Sequence, residues 1–198
     1  MTDILPEIKN RHSRIIFQEK EVPKEKLAAV LEAARWAPSS YNHQPWRYLV
    51  VNESAALEKA HKGLVLGNFW AKQAPVIIIA LSKPELDDEV DGKDYYLYDT
   101  GLSVMSLVIE AMHQGLVTHQ MIGFKEDVLK REFAIPRGWR VIVVIAMGYA
   151  GDLSTHTGNI IEKLGLQAFE KLRDRIASPR ARKSIEEIVS FNEFGFRE

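Results

Sequence analysis

The 198-residue chain contains no cysteine, which removes several kinds of chemistry at once. Disulfides, thiolate nucleophiles, iron–sulfur clusters and cysteine-ligated zinc all need sulfur atoms that this sequence lacks. An excess of charge of one sign is also missing, because the formal net charge is only −1. A chain this close to neutral creates no large field for nucleic acid or for an anionic membrane. We therefore predict that neither is a partner.

Apolar runs long enough to cross a membrane are absent as well. The longest lie near PVIIIAL and VIVVIAM, and the N-terminal MTDILPEIKNRHSR has no apolar core of a secretory signal. We expect a cytoplasmic protein. Apolar residues make up 46% of the chain and charged residues 27%, which is typical of a globular protein with a sizeable core. Residues 1–198 are accordingly predicted to form a single domain.

The familiar catalytic and nucleotide-binding motifs are also missing. There is no GxGxxG after a strand, no GxxxxGK, no HExxH and no GxSxG. The histidines, at positions 12, 43, 61, 113, 119 and 156, do not have the spacing of a metal-ligand set. No carboxylate pair stands in an apolar context that would suggest acid–base work. We expect no metal and no catalytic side chain, so any chemistry should come from a bound cofactor.

Hydrophobic periodicity predicts an α+β fold. Apolar residues recur at i, i+3, i+4 and i+7 after Pro23, which indicates an amphipathic helix that ends at Pro38. Other helices are predicted at 54–62, 99–114, 126–133 and 161–176, and strands at 46–51, 74–81, 117–121 and 140–149. We expect helices on both faces of a small mixed sheet, with some parallel pairing through helical crossovers.

Ser54 and Asp99 are predicted N-caps, because short polar side chains satisfy the free N–H groups of a helix start. The acidic segment 86–93 is predicted to be a solvated loop. The helix at 99–114 is apolar on most sides, so we expect it to be buried, either centrally or against a partner subunit.

Two basic clusters stand near the two ends of the chain, at Arg11-His12-Ser13-Arg14 and Arg180-Ala181-Arg182-Lys183. An arginine fork beside a serine hydroxyl can bind phosphate oxygens. The alternative is that both clusters are ordinary solvated surface.

Polar residues also crowd the corner Pro38–Gln44, between the first long helix and the first strand. Ser39, Ser40, Asn42 and Gln44 could bind the edge of a planar heterocycle, or they could simply satisfy a helix end and a turn. Gly123, after a predicted strand, could let backbone N–H groups approach a ligand or could merely turn the chain.

Taken together, five ordered segments resemble the FMN-dependent nitroreductase family. They are RHSRIIF at 11–17, ARWAPSSYNHQPWRYLVV at 34–51, YDTGLSVMSLVIEAMHQGL at 98–116, HQMIGF at 119–124 and PRARKSIEEIV at 179–189. The second is the most specific. The last two resemble a small subgroup of about 200 residues whose substrates are mostly unassigned.

The resemblance implies a three-layer α+β fold with a small, mixed but mainly antiparallel sheet flanked by helices. It also implies an intertwined homodimer with FMN sites between the subunits. Residues 178–198 would form a tail that clasps the partner subunit. The implied reaction is a ping-pong transfer of hydride from NADH or NADPH, through FMN, to a nitroaromatic, a quinone or a similar electron-poor substrate. No side chain would act as nucleophile or acid.

Carried over residue by residue, the resemblance also implies the FMN contacts. They are, at the phosphate and ribityl end, Arg11, His12, Ser13, Arg180 and Arg182; along the isoalloxazine, Pro38, Ser39, Ser40 and Asn42; and facing N5, Ile122 and Gly123.

One position departs from the family pattern. Ile15 stands where members often have a basic residue near the N1–C2=O edge of the flavin. Such a cation would stabilise the negative charge of a reduced flavin. This departure keeps open a flavin-binding protein without nicotinamide turnover. A dehalogenase or dehydrogenase on the same fold is a further alternative, and a dimerisation domain without ligand is the third.

Overall fold

An antiparallel sheet forms the centre of the first of the two units into which the chain divides, Met1–Asp152 and Leu153–Glu198. The computed structural model describes residues 3–152, 170, 173–174 and 180–195. The strands are β1 (Arg47–Val51), β2 (Val76–Ser82), β3 (Glu89–Val90), β4 (Lys93–Asp94), β5 (Val117–Met121) and β6 (Arg140–Gly148). The four longer strands have the order β1-β2-β6-β5, and β3 pairs only with β4.

Strand β2 lies at the centre of the core and is buried along its whole length. Ile77, Ile79 and Leu81 pack on one face of the sheet, and Val76, Ile78 and Ala80 on the other. A strand that is covered on both faces typically has a continuous run of apolar residues and not an alternation of apolar and polar ones. Each buried isoleucine contributes about 1.5–3 kcal/mol relative to an exposed one.

Helices cover both faces of this sheet. They are α1 (Pro6–Asn10), α2 (Lys24–Arg35), α3 (Ser54–Lys62), α4 (Tyr95–His113) and α5 (Glu126–Glu132). Helices α2 and α4 pack on one face through residues such as Val30 and Leu107. Helices α3 and α5 pack on the other, with Ala60, Leu129 and the nearby Trp70. The three-layer arrangement predicted from the sequence is confirmed.

Most predicted elements of this unit lie within two residues of their predicted ends. The pairings β1–β2, β2–β6 and β5–β6 are all antiparallel, so the expected parallel pairing is not found among the described strands. Ser54 is inside α3 and not its N-cap, which is Glu53. Helix α1 and the 3-10 turns were not predicted.

Helix α4 differs most from its prediction. It begins at Tyr95, and Asp99 is buried within the helix instead of capping it. Three tyrosines occupy its first turn, and aromatic residues are weak helix formers, so the pattern favoured the later start. The acidic segment 86–93 is not simply a solvated loop either, because it contains β3 and the side chain of Asp87 is fully buried.

The second unit is described only in parts. The predicted helix at 161–176 lies outside the described residues, apart from positions 170, 173 and 174. Within 180–195 a 3-10 turn, Ile185–Glu187, starts with a capping box in which Ser184 N donates to Glu187 Oε2 at 2.7 Å. Ile185, Phe191 and Phe194 are exposed apolar side chains on this segment.

Candidate functional site

The corner between α2 and β1 has an unusual backbone. Tyr41, Asn42 and Gln44 have positive φ values of 43°, 58° and 49°. Each left-handed residue other than glycine costs roughly 1–2 kcal/mol, so such a run persists only when surrounding contacts hold it.

Hydrogen bonds supply that support. Gln44 N donates to Ser39 Oγ at 2.9 Å, and Ser40 N donates to Asp99 Oδ2 at 2.7 Å. Ser40 Oγ donates to Asp88 Oδ2 at 2.7 Å. Both serine hydroxyls therefore stabilise the turn, in agreement with the alternative that these residues satisfy a helix end and a turn. Pro38, Tyr41 and Asn42 are exposed, so the corner still presents polar and apolar groups to a ligand.

A cluster of acidic residues lies against this corner, and the sequence analysis did not predict it. His43 Nδ1 is 3.2 Å from Asp87 Oδ1 and 3.8 Å from Asp88 Oδ2. Asp99 contacts the Asp87 carboxyl, and burial, followed by the charge of Asp87, raises the pKa of Asp99. This buried carboxylate pair, in a setting of polar neighbours, was not predicted from the sequence. The residues come from three distant segments, and the acidic run around Asp87 is typical of solvated loops.

The N-terminal basic cluster is fixed beside β5. Arg11 Nη1 donates to Ser13 Oγ at 3.2 Å, so a guanidinium and a hydroxyl lie side by side in an arrangement that could bind phosphate oxygens. His119 Nδ1 donates to the carbonyl of Arg14 at 3.0 Å, and the His119 ring lies 4.3 Å from that of Trp70. His12 is half-buried in the same segment.

Gly123 follows β5 and is closely packed. Its carbonyl accepts a hydrogen bond from Asn68 Nδ2 at 2.8 Å. A Cβ at this position would lie 2.9 Å from both Asn68 Nδ2 and Val65 Cγ2. The neighbouring Ile122 is 88% exposed. Only glycine fits here without displacement, and the turn presents Ile122 and the adjoining backbone to the outside.

Two groups of predicted site residues thus lie at opposite edges of one sheet. Arg11, Ser13, Ile122 and Gly123 are at the β5 edge, and the corner precedes β1 at the other. Three strand spacings separate these edges, or ~14 Å. Arg180 and Arg182 belong to the second unit, where both are exposed and Arg182 Nη1 donates to the carbonyl of Ala181 at 2.8 Å.

Ile15 does not carry the charge often found at its position in the family pattern. Its side chain packs against the buried cluster that contains Phe17, whereas Arg14 is exposed. The position serves the core. In the part of the chain that the structure describes, no helix has both the length and the apolar character needed to cross a membrane.

Comparisons with known proteins agree with the sequence pattern. The model of the nitroreductase family matches residues 8–66 and 55–149. A provisionally named NADH dehydrogenase/NAD(P)H nitroreductase of Methanothermobacter thermautotrophicus is 30% identical over 154 residues, which cover 76% of this chain and 78% of that one. Nitroreductase NfnB of Mycolicibacterium smegmatis is 24% identical over 206 residues, with 80% and 88% covered.

A solved structure extends the likeness over nearly the whole fold. The crystal structure of an oxidoreductase containing FMN has a TM-score of 0.82 and 26% identity, and the match covers 99% of this chain and 95% of that one. Both segments of the family match, the relatives and the shared fold lead to one conclusion. The chain belongs to the nitroreductase family.

Proposed function

We propose that this protein is an FMN-dependent oxidoreductase that uses NADH or NADPH to reduce a small electron-poor substrate, such as a nitroaromatic or a quinone. Its family membership, an NAD(P)H-named relative and an FMN-containing structural neighbour support this proposal. The observation that carries it is the convergence of the Arg11 guanidinium and the Ser13 hydroxyl at the β5 edge.

The donor set fits the two ends of FMN. Arg11 and Ser13 together offer a charged fork and a hydroxyl for phosphate oxygens, and charge-assisted bonds of this kind contribute about 1.5–3 kcal/mol each. His12 would stand between phosphate and ring. Arg180 and Arg182 are proposed as further phosphate ligands on the strength of the sequence resemblance alone.

The ring end would be held mainly by backbone and apolar groups. Ser39 and Ser40 use their hydroxyls within the turn, so they would position the backbone rather than bind the ring directly. Pro38 and the exposed Asn42 would line the ring, and Ile122 with Gly123 would face its N5 side. When bound, FMN supplies the hydride chemistry. The protein's own residues bind it, orient it and exclude water.

A second copy of the chain would complete the site. Because the corner and the Arg11–Ser13 clamp belong to opposite edges of a sheet that is ~14 Å wide, a homodimer could bring one of each together at two interfaces. An open groove of about 440 Å³ on the outer side of α2 and α4 is lined by Pro38, Leu102, Met105 and Ile109. Its closeness to the corner supports this face as the dimer contact. The exposed Phe191 and Phe194 are suited to the clasping tail.

The proposal is tested first by the visible absorption spectrum of the purified protein. A flavin spectrum is expected, with FMN released on heating at about one per chain, since one site is formed per clamp. Steady-state oxidation of NADH and NADPH with a quinone acceptor should then give the parallel double-reciprocal lines of ping-pong kinetics. Protein that neither contains nor binds added FMN would contradict the proposal.

Ile15 favours one second candidate, a flavin-binding protein without nicotinamide turnover. Without a cation at this position, negative charge on a reduced flavin is less stabilised. Stopped-flow mixing of the FMN-loaded protein with NADH and NADPH separates the candidates. Flavin bleaching within seconds would support the enzyme, whereas bleaching over many minutes with both nucleotides would support the carrier.

A further inference from the structure

Two carboxyl groups are buried side by side beneath the corner. The side chain of Asp87 is fully buried, and Asp99 is 2% exposed. A buried carboxylate costs several kcal/mol unless donors or an opposite charge compensate it. A count of the donors around the two groups therefore indicates their protonation.

The donors are too few for two ionised groups. Asp87 Oδ1 accepts from Asp88 N at 2.9 Å and lies 3.2 Å from His43 Nδ1. Asp87 Oδ2 is buried and has no donor among the described residues, and the Asp87 carboxyl is in contact with that of Asp99. Asp99 Oδ2 accepts from Ser40 N. A carboxylate has no proton to donate, so two ionised carboxylates cannot hydrogen-bond to each other.

We propose that Asp87 and Asp99 share one proton, and that this proton joins the acidic segment and α4 to the Ser39–Gln44 corner. Asp99 holds the corner through Ser40 N, and Asp88, next to Asp87, holds it through Ser40 Oγ. The two acids are thus positioning residues for the ring end of the site. Loss of the proton would set two negative charges against each other and loosen the turn. The consequence for ligand binding rests on the proposed function.

The surrounding charges are consistent with this arrangement. Among the residues that the structure describes, the titratable groups that face the pair are His43, from the corner, and Asp88, from the acidic segment. Burial and the charge of Asp87 raise the pKa of Asp99, while the Ser40 N–H and His43 oppose that shift. A raised folded-state pKa stabilises the fold below the ordinary carboxyl range, and this stabilisation is lost as the pH rises through the raised value.

The test uses Asp87→Asn, which replaces the shared proton by a permanent donor. The amide oxygen can keep the bonds of Oδ1, and the amide nitrogen can donate to an ionised Asp99. The matched control is Asp91→Asn, which removes the same charge from an exposed position of the same segment. Thermal midpoints of the FMN-free proteins are measured from about pH 4 to about pH 9, a range that brackets raised carboxyl pKa values. FMN dissociation constants are measured over the same range by fluorescence quenching.

The wild type and Asp91→Asn should lose thermal stability relative to Asp87→Asn as the pH rises. Their FMN affinity should fall over the same range, by about tenfold for each unit by which FMN binding raises the pKa of the carboxyl pair. Parallel pH profiles for all three proteins would overturn the proposal. The thermal midpoints decide this inference even if no variant binds FMN, an outcome that would instead overturn the proposed function.

Discussion

Gly123 has no room around it for an added methyl group. Gly123→Ala would place a Cβ 2.9 Å from Asn68 Nδ2 and Val65 Cγ2. We expect a loss of about 1–3 kcal/mol in the free energy of unfolding, because neighbouring atoms must move. Urea unfolding measures this loss. Gly67→Ala is the control, since a Cβ there meets nothing within 4 Å; an equal effect of both changes would contradict the argument.

His61 is a second residue whose surroundings make a testable difference. Burial lowers its pKa, and the charge of Lys72 lowers it further. A lowered folded-state pKa stabilises the fold above the ordinary histidine range, and this stabilisation is lost as the pH falls through the lowered value. We expect the His61 ring resonances to titrate below pH 6.5 in proton NMR.

A charge-removing variant checks the cause. Lys72→Gln should raise the pKa of His61, because the second-largest contribution to its shift is gone. Lys59→Gln removes a charge from α3 that does not contribute to that shift and should leave the titration in place. If both variants titrate like the wild type, the assigned role of Lys72 is wrong.

From the sequence, residues could be grouped into candidate sites only where they are neighbours in the chain. Arg11 and Ser13, which stand two positions apart and are in contact, were recognised from the sequence as members of one basic cluster. The Asp87–Asp99 contact depends on how α4 packs against the corner. No local pattern reports such packing, and an early helix start at Tyr95 concealed the burial of Asp99.

A chain of hydrogen-bonded hydroxyl groups connects three elements, β1, α4 and α2. Tyr48 of β1 contacts Ser103 Oγ of α4 at 2.7 Å, and Ser103 Oγ donates to the carbonyl of Ala34 in α2, also at 2.7 Å. Because the Ser103 proton is used for Ala34, Tyr48 must donate to Ser103. Burial raises the pKa of Tyr48 to about 12, so the phenol stays protonated.

The two ends of this chain should respond differently to truncation. Ser103→Ala leaves the buried Tyr48 hydroxyl without its acceptor and should cost about 1–3 kcal/mol, whereas Tyr48→Phe leaves Ser103 bonded to Ala34 and should cost ~1 kcal/mol or less. Chemical denaturation of both variants measures the difference. A larger loss for Tyr48→Phe would show that the phenol, and not the serine, is the critical member.

Elements with strong periodicity were predicted well, and those held by tertiary contacts were not. Strand β2 and helix α2 follow directly from apolar pattern and composition. Hairpin β3–β4 has only two residues in each strand, too few for any alternation to show. The mainly antiparallel character of the sheet was expected, whereas the expected parallel pairing was wrong for the described strands, because helical crossovers can return a strand antiparallel when it pairs out of chain order.

The whole molecule is predicted to assemble through the groove on α2 and α4. Met105 is 42% exposed there, and Met105→Glu would place a charge in the proposed dimer contact, where an unpaired charge is costly. We expect at least tenfold weaker dimerisation by light scattering, with a matching loss of bound FMN. Val90→Glu, an apolar-to-acidic change on the exposed β3, is the control. A dimer unaffected by Met105→Glu would move the contact to another face.

The strand order β1-β2-β6-β5 also determines when the core can close. The central pairing joins Val76 to Met147 and Ser82 to Arg140, so the two inner strands meet only across a long stretch of chain. Pairings between distant segments fold slowly, because loop closure precedes any gain from contact. On the ribosome, β1 and β2 can pair early. The other edge of β2, with its apolar side chains, stays unpaired until β6 has left the exit tunnel. A chaperone that shields apolar strands would therefore be needed most while residues between β2 and β6 are being synthesised.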